Sequence, residues 1–151
     1  MDNLRNLYQA VIMDHYRNPY NKGLKGYPKV HLKNPACGDD ITIEAKVNNG
    51  VIETINHSGT GCSICCASAS MLCSLMEGKS VDFARKEISK FYDLVQGKDG
   101  DYESLGDANS LAGVAAFPAR IRCATISWKA LEMVLEGDLD EEREIWYCWG
   151  L

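Results

Sequence analysis

The hydrophobic period of this chain changes at Gly59-Thr60-Gly61. Before it, Ile41, Ile43, Ala45 and Val47 alternate with polar residues, the two-residue period of a strand with one buried face. Asn49-Gly50 is a hairpin turn signal, residues 51–56 are the return strand, and residues 30–33 read as a further short strand. After the glycines, Cys62, Cys65 or Cys66, Ala69 and Cys73 recur three to four apart, on a small-residue helix ending near Gly78. Ser80 is placed to cap a second helix with the apolar stripe Val81, Ala84, Ile88, Phe91, Leu94 and Val95. Residues 96–107 read as loop, 111–116 as a short helix interrupted by Phe117-Pro118, and 119–136 as a long C-terminal helix. A further amphipathic helix over about 3–17, built on Leu4, Leu7, Tyr8, Val11, Ile12 and His15, precedes the strands and ends at Asn18-Pro19. Strands first and helices afterwards predict an α+β domain, a small antiparallel sheet packed against helices in two layers.

Seven cysteines in 151 residues are the second constraint. A disulfide framework uses cysteines in pairs, and the opening Met1-Asp2-Asn3 has neither the basic start nor the apolar stretch of a secretory signal. The expectation is therefore a soluble, cytoplasmic protein whose reduced thiols are free for metal or sulfur chemistry. The longest nearly unbroken apolar run, residues 111–117, is far short of the roughly 18–20 residues that span a bilayer, so no membrane is expected as a partner. A formal charge of −5 argues against nucleic acid, which needs a basic face. That charge is local: residues 132–144 hold seven acidic side chains and one basic, a net −6, and the rest of the chain is near neutral. Residues 1–136 are expected to form one domain, with 137–151 as an acidic C-terminal extension.

Three cysteines stand where local geometry favours a thiolate. Cys37 lies in the turn-rich run 34–40, after a proline and before a glycine, and Asp39 presents a carboxylate on the same loop. Cys62 opens a helix, where unpaired N–H groups and the helix dipole favour negative charge. Cys123 falls in the first turns of the final helix, just after Arg120 and Arg122. Three thiolates and a carboxylate are a sound tetrahedral zinc set. Their separations, 25 and 61 residues between successive cysteines, match no compact zinc finger, so only the fold can assemble them. The plain alternative is that each is a small buried residue. A zinc cluster of this kind carries a formal −2 that an arginine can offset. Two residues apart on a helix, Arg120 and Arg122 cannot both face it.

The remaining candidates read differently. Cys62-Ser63-Ile64-Cys65 is a CxxC at a helix start, as in thioredoxin-like redox sites, but no βαβ pattern surrounds it. Cys73 reads as core, and Cys148 has no assigned role. His15 reads as a packed or surface histidine; His31 and His57 have structural places, with metal ligation as the alternative.

Asn34-Pro35-Ala36-Cys37-Gly38-Asp39, Gly59-Thr60-Gly61-Cys62-Ser63-Ile64 with Ala67-Ser68-Ala69-Ser70, and Phe117-Pro118-Ala119-Arg120-Ile121-Arg122-Cys123 resemble, in order, the NifU N-terminal/IscU family of iron–sulfur cluster assembly proteins. The resemblance runs from Leu7-Tyr8 to about Leu135 and is strongest to the SufU-like branch. The scaffold branch carries a histidine before its third cysteine and a Leu-Pro-Pro-Val-Lys motif. Here Arg122 precedes Cys123, and Phe117-Pro118-Ala119-Arg120 replaces that motif. The resemblance implies zinc held by Cys37, Asp39, Cys62 and Cys123, with Cys37 receiving persulfide sulfur from a SufS-type cysteine desulfurase. It also implies that Arg120 helps organise the site, and that the sulfur passes to a downstream Suf-type assembly complex. The alternative is a scaffold that binds iron and assembles a [2Fe–2S] cluster on the same ligands. Two departures stand out. Cys65-Cys66 occupy positions where relatives carry other small or apolar residues, which leaves them as spectators, rescue ligands or a route to oxidation. His57 stands where relatives place a large apolar residue.

Overall fold

The computed structural model describes residues 2–137 and 142–144. Strands β1 (Lys29–Asn34), β2 (Asp39–Asn48) and β3 (Val51–Thr60) form an antiparallel sheet, and β4 (Glu142–Glu144) adds a parallel edge, giving the order β3-β2-β1-β4. Asn49 and Gly50 both take positive φ, 52° and 76°, the mirror-image turn whose twist matches that of the strands it joins. Alternation then places Val30, Leu32, Ile41, Ile43, Ala45 and Ile55 in the core.

The other face is covered as well. Glu44 is fully buried, and its carboxylate accepts from the backbone N–H groups of Lys25, Gly26 and Tyr27 and from Asn56, at 2.7–3.2 Å, which folds the 23–28 loop over the sheet. The β3 edge is closed by backbone: His57 N–H donates to Asn21 O at 3.1 Å, Gly23 N–H to His57 O at 2.8 Å, and Ile52 N–H to Lys79 O at 2.8 Å. A capped edge offers no template for strand addition.

Helices α1 (Asp2–Arg17), α2 (Ser63–Met76), α3 (Val81–Val95) and α4 (Pro118–Glu136) make the second layer. Ser80 caps α3 as its sequence predicts, accepting from Phe83 N–H at 3.0 Å. The small residues Ala67, Ser68, Ala69 and Ser70 are all fully buried, so α2 sits at the centre with neighbours close on several sides. Trp128 on α4 fixes its register there. Its indole N–H donates to Ser68 Oγ at 2.8 Å, Ser68 donates to Ala124 O at 2.5 Å, and the ring stacks on Phe91 with centroids 3.9 Å apart. Among the described residues no helix is long and apolar enough to cross a membrane.

Two departures from the sequence reading matter. The 96–107 segment is not all loop: a 3-10 run covers Glu103–Ala116, with a break at Gly106. Its buried residues Leu105, Ala108, Leu111 and Val114 recur every three residues, the period of a 3-10 helix and not of an α-helix. In addition, β3 continues through Gly59 to Thr60, where the glycines read as a break. Gly59 is required there because a Cβ would lie 1.9 Å from the Asp40 carbonyl oxygen. The longer hairpin, with Asp40 opposite Thr60, carries Asp39 and Cys62 to the same end of the sheet.

Candidate metal and sulfur site

Register assembles the site. Asn34 pairs with Asp39 to close the β1–β2 hairpin, and the four residues between them form a tight turn carrying Cys37. Cys37 N–H donates to Asn34 O at 3.2 Å, and Gly38 supplies the positive φ of 71° that turns the chain back. The Asp39 carboxylate is nearly fully buried and held from two sides: Asn34 Nδ2 donates to Oδ2 at 3.3 Å and Cys62 N–H to Oδ1 at 3.1 Å. Cys62 is the N-cap of α2, so the N–H that binds Asp39 belongs to the end of a helix. Helix α4 crosses over this end and brings Cys123, fully buried.

The donor atoms of Cys37, Asp39 and Cys123 lie within 4.8 Å of one another. Cys62 stands beside this group, its thiol close enough to interact with that of Cys123. That contact pulls the Cys62 thiol well below its ordinary value, and the backbone N–H groups of Cys65 and Ile64 add to the shift. The same contact pushes Cys123 up, reinforced by burial, Asp39 and Cys37. Cys123 therefore touches all three of the other groups and is the hub of the cluster. Its Sγ and that of Cys37 both point at the Ala119 carbonyl oxygen, at 3.8 and 3.9 Å.

Of the two arginines, Arg120 reaches the thiols. The charge of Cys62 raises the guanidinium pKa first, and a hydrogen bond with Cys123 adds to it. The Arg122 side chain has no hydrogen-bond or ion-pair partner among the described residues.

The donors suit Zn²⁺. Thiolates and carboxylates are among its usual ligands. Cys37, Asp39 and Cys123 form a group that could bind a metal, with the Cys62 thiol beside it and the Arg120 guanidinium interacting with Cys62 and Cys123.

The histidines lie elsewhere. His57 Nε2–H donates to Tyr20 O at 2.9 Å, and burial lowers the ring pKa to about 4. His31 is engaged with Asp40. His15 bridges Ser70 and Asp107 at 2.7 and 2.8 Å. Cys73 is core, as its position on α2 predicts, and all six described cysteines are free thiols. Cys148 lies outside the described residues.

Two contributors escape sequence reasoning, and the structure gives a place to a third, Cys65, which the sequence already marks as an extra thiol beside the site. Asn34 orients Asp39, and its only signal is a polar residue on the buried face of β1. Gly61 leaves room for the carboxylate: a Cβ there would sit 2.6 Å from Asp39 Oδ1. Cys65, fully buried, lies beside Asp39, and burial raises its thiol pKa. The Cys66 thiol turns away to donate to Gly61 O at 3.7 Å.

Comparison with known proteins adds the following. The NifU-like N-terminal domain family matches residues 7–124. The zinc-dependent sulfurtransferase SufU of Bacillus subtilis is 48% identical over 132 residues, covering 86% of this chain and 90% of that protein. The iron–sulfur cluster assembly scaffold protein IscU of Streptococcus pyogenes is 41% identical over 145 residues, covering 95% and 91%. Among solved structures, a candidate cluster assembly scaffold protein of the SUF system from Fervidobacterium islandicum superposes with a TM-score of 0.75 at 27% identity, over 83% of this chain and 93% of that one.

Proposed function

The chain belongs to the NifU-like N-terminal domain family, and from that premise we propose that it is an iron–sulfur cluster assembly protein acting as a zinc-dependent sulfurtransferase. The observation that carries this reading is the convergence of Cys37, Asp39 and Cys123 within 4.8 Å, with the Cys62 thiol beside Cys123. Cys37, Asp39, Cys62 and Cys123 would hold the zinc, which keeps its ligand thiols ionised.

Within this set Cys37 is the acceptor. It is half-exposed at a hairpin tip, whereas Cys123 is buried and Cys62 is tied to the start of α2. The Cys37 thiolate attacks the outer sulfur of a desulfurase cysteine persulfide. A new S–S bond forms at Cys37, the old one breaks, and the desulfurase cysteine leaves as thiolate. Arg120, a positioning residue, neutralises charge as two anionic sulfur groups approach. Phe117, 63% exposed at the mouth of α4, offers apolar surface to the docking partner. The partner is a cysteine desulfurase of the SufS type, and the acceptor that follows is a Suf-type assembly complex. The setting is the cytoplasm, where such thiols stay reduced. Residues 1–136 form the working domain, and 137–151 an acidic extension whose residues 142–144 pair with β1.

The test is intact-mass measurement with metal content, after incubation with a desulfurase and cysteine. The expected result is a gain of one sulfur atom, lost in Cys37→Ala; an unchanged gain in that variant removes Cys37 from its role. Anaerobic reconstitution with iron and sulfide distinguishes the scaffold reading, which requires a stable stoichiometric [2Fe–2S] cluster as product.

A further inference from the structure

Cys65 is the buried thiol that sulfur transfer leaves without a task. It follows Cys62 by three residues on the first turn of α2, so the two sulfurs share one helix face. C-x2-C is the spacing with which chelating cysteine pairs are commonly built. The Cys65 side chain is fully buried beside the Asp39 carboxylate. A second geometric observation agrees: a Cβ at Gly61 would lie 2.6 Å from Asp39 Oδ1 and 3.2 Å from Cys65 Sγ, so both atoms border the same narrow gap. Its neighbour Cys66 faces elsewhere, onto the Gly61 carbonyl and a small cavity beside Lys22 and His57.

We propose that Cys65 is a fifth donor of the site, so that Asp39, Cys62, Cys65 and Cys123 hold the metal as a complete set when Cys37 is not available. The proposal rests on the sulfur-transfer reading, in which Cys37 changes chemically during each turnover. A tetrahedral ion left with three protein donors is open to water and to loss. Cys65 supplies a fourth donor from a helix that is already part of the site, and its proton is released on binding. The division of labour follows the fold: the permanent donors stand on β2 and the first turns of α2 and α4, and the transient one on a hairpin tip.

Cobalt(II) titration of the full-length chain tests this, because the sulfur-to-cobalt charge-transfer absorption scales with the number of bound thiolates. Wild type and Cys37→Ala are expected to show the same three-thiolate intensity. Cys37→Ala/Cys65→Ala falls to about two-thirds of it, and a competing chelator strips its zinc at least about tenfold faster. Cys65→Ala alone matches wild type. A Cys37→Ala intensity already at two-thirds, unchanged by the second substitution, overturns the proposal while leaving sulfur transfer standing. A wild type that binds neither cobalt nor zinc overturns both. If the double variant does not fold, the thiolate count of Cys37→Ala alone, three or two, decides the question.

Discussion

Two clusters of convergent polar groups lie at different points along α2, and they behave differently. At its first turn, the donor atoms of Cys37, Asp39 and Cys123 lie within 4.8 Å of one another, with Cys62 and Arg120 beside them. Further along the helix, Ser70, His15 and Asp107 form a chain with the residue types of a hydrolase triad. Ser70 is 0% exposed, however, and its oxygen already accepts the Tyr20 N–H at 2.8 Å. With His15 Nε2–H on Asp107, Nδ1 accepts the Ser70 O–H, and every group in the chain is satisfied within the protein. The comparison teaches that convergence alone does not mark a functional site. What sets the thiol cluster apart is its chemistry: two thiols and a carboxylate, donors that suit a metal ion, lie within 4.8 Å of one another. The histidine chain ties α1, α2 and the 3-10 run together and asks for no ligand.

The sharpest way to break the contrast is to remove the hub. Cys123→Ser takes away the group that contacts Cys37, Asp39 and Cys62 together. Zinc content by plasma mass spectrometry is expected to fall from one per chain to near zero. The variant loses at least about 4 kcal/mol of ligand-derived stability, the linkage expected at a thousandfold excess over the dissociation constant. That corresponds to a Tm lower by roughly 10 °C. The wild type treated with chelator should melt at the same temperature. A Cys123→Ser variant retaining full zinc removes Cys123 from the ligand set.

A finer perturbation touches the site without deleting a donor. Gly61→Ala places a methyl 2.6 Å from Asp39 Oδ1 and 3.2 Å from Cys65 Sγ. The carboxylate has to rotate away from the Cys62 N–H. A loss of zinc affinity of roughly 10–100-fold, the range for disturbed ligand orientation, is expected in a chelator competition assay. Unchanged affinity means that Asp39 is not a donor in the position observed.

What the sequence makes legible follows from how local each signal is. Asn49-Gly50 reports its own turn, Ser80 its own cap, and the i, i+2 relation of Arg120 and Arg122 shows that one of them at most faces the thiols. Cys37, Cys62 and Cys123 each declare a thiolate-friendly setting within a few residues. What stays hidden depends on register. Asn34 meets Asp39 only because β1 and β2 pair as they do, and Cys65 meets Asp39 only because β3 runs on to Thr60. The glycines of that extension look like a loop until the approach of the Asp40 carbonyl is known. The 3-10 run is missed for a different reason: its apolar spacing of three fits neither the strand period nor the α-helix period.

On the paired side of the comparison, pH is the probe. His57 is held neutral by burial, with its Nε2–H on the Tyr20 carbonyl. Its pKa of about 4 in the fold lies below the ordinary 6.5, so the unfolded chain takes up the proton first. The stabilisation is complete above about pH 6.5 and is lost as pH falls toward 4, on the order of 2 kcal/mol of it by pH 5. In the metal-free protein, wild type should lose roughly 5 °C of Tm between pH 7 and pH 5 that His57→Gln does not lose. Parallel behaviour of the two proteins would show that His57 is not the group that titrates.

The smallest expected effect tests whether the serine–histidine–aspartate chain is only a brace. Ser70→Ala leaves the Tyr20 N–H and His15 Nδ1 without their partner in a partly buried region of the protein. An unsatisfied buried donor costs about 1–3 kcal/mol, and the hydrogen bond from His57 to the Tyr20 carbonyl still holds that residue in place. The lower end of the range, a Tm reduced by roughly 3–5 °C, is therefore expected. Zinc content and sulfur uptake should match wild type, because none of the three residues touches the thiol cluster. If Ser70→Ala instead lost sulfur uptake while keeping its zinc and its fold, the two clusters would be coupled through α2, and the distinction between a brace and a site would fail for this helix.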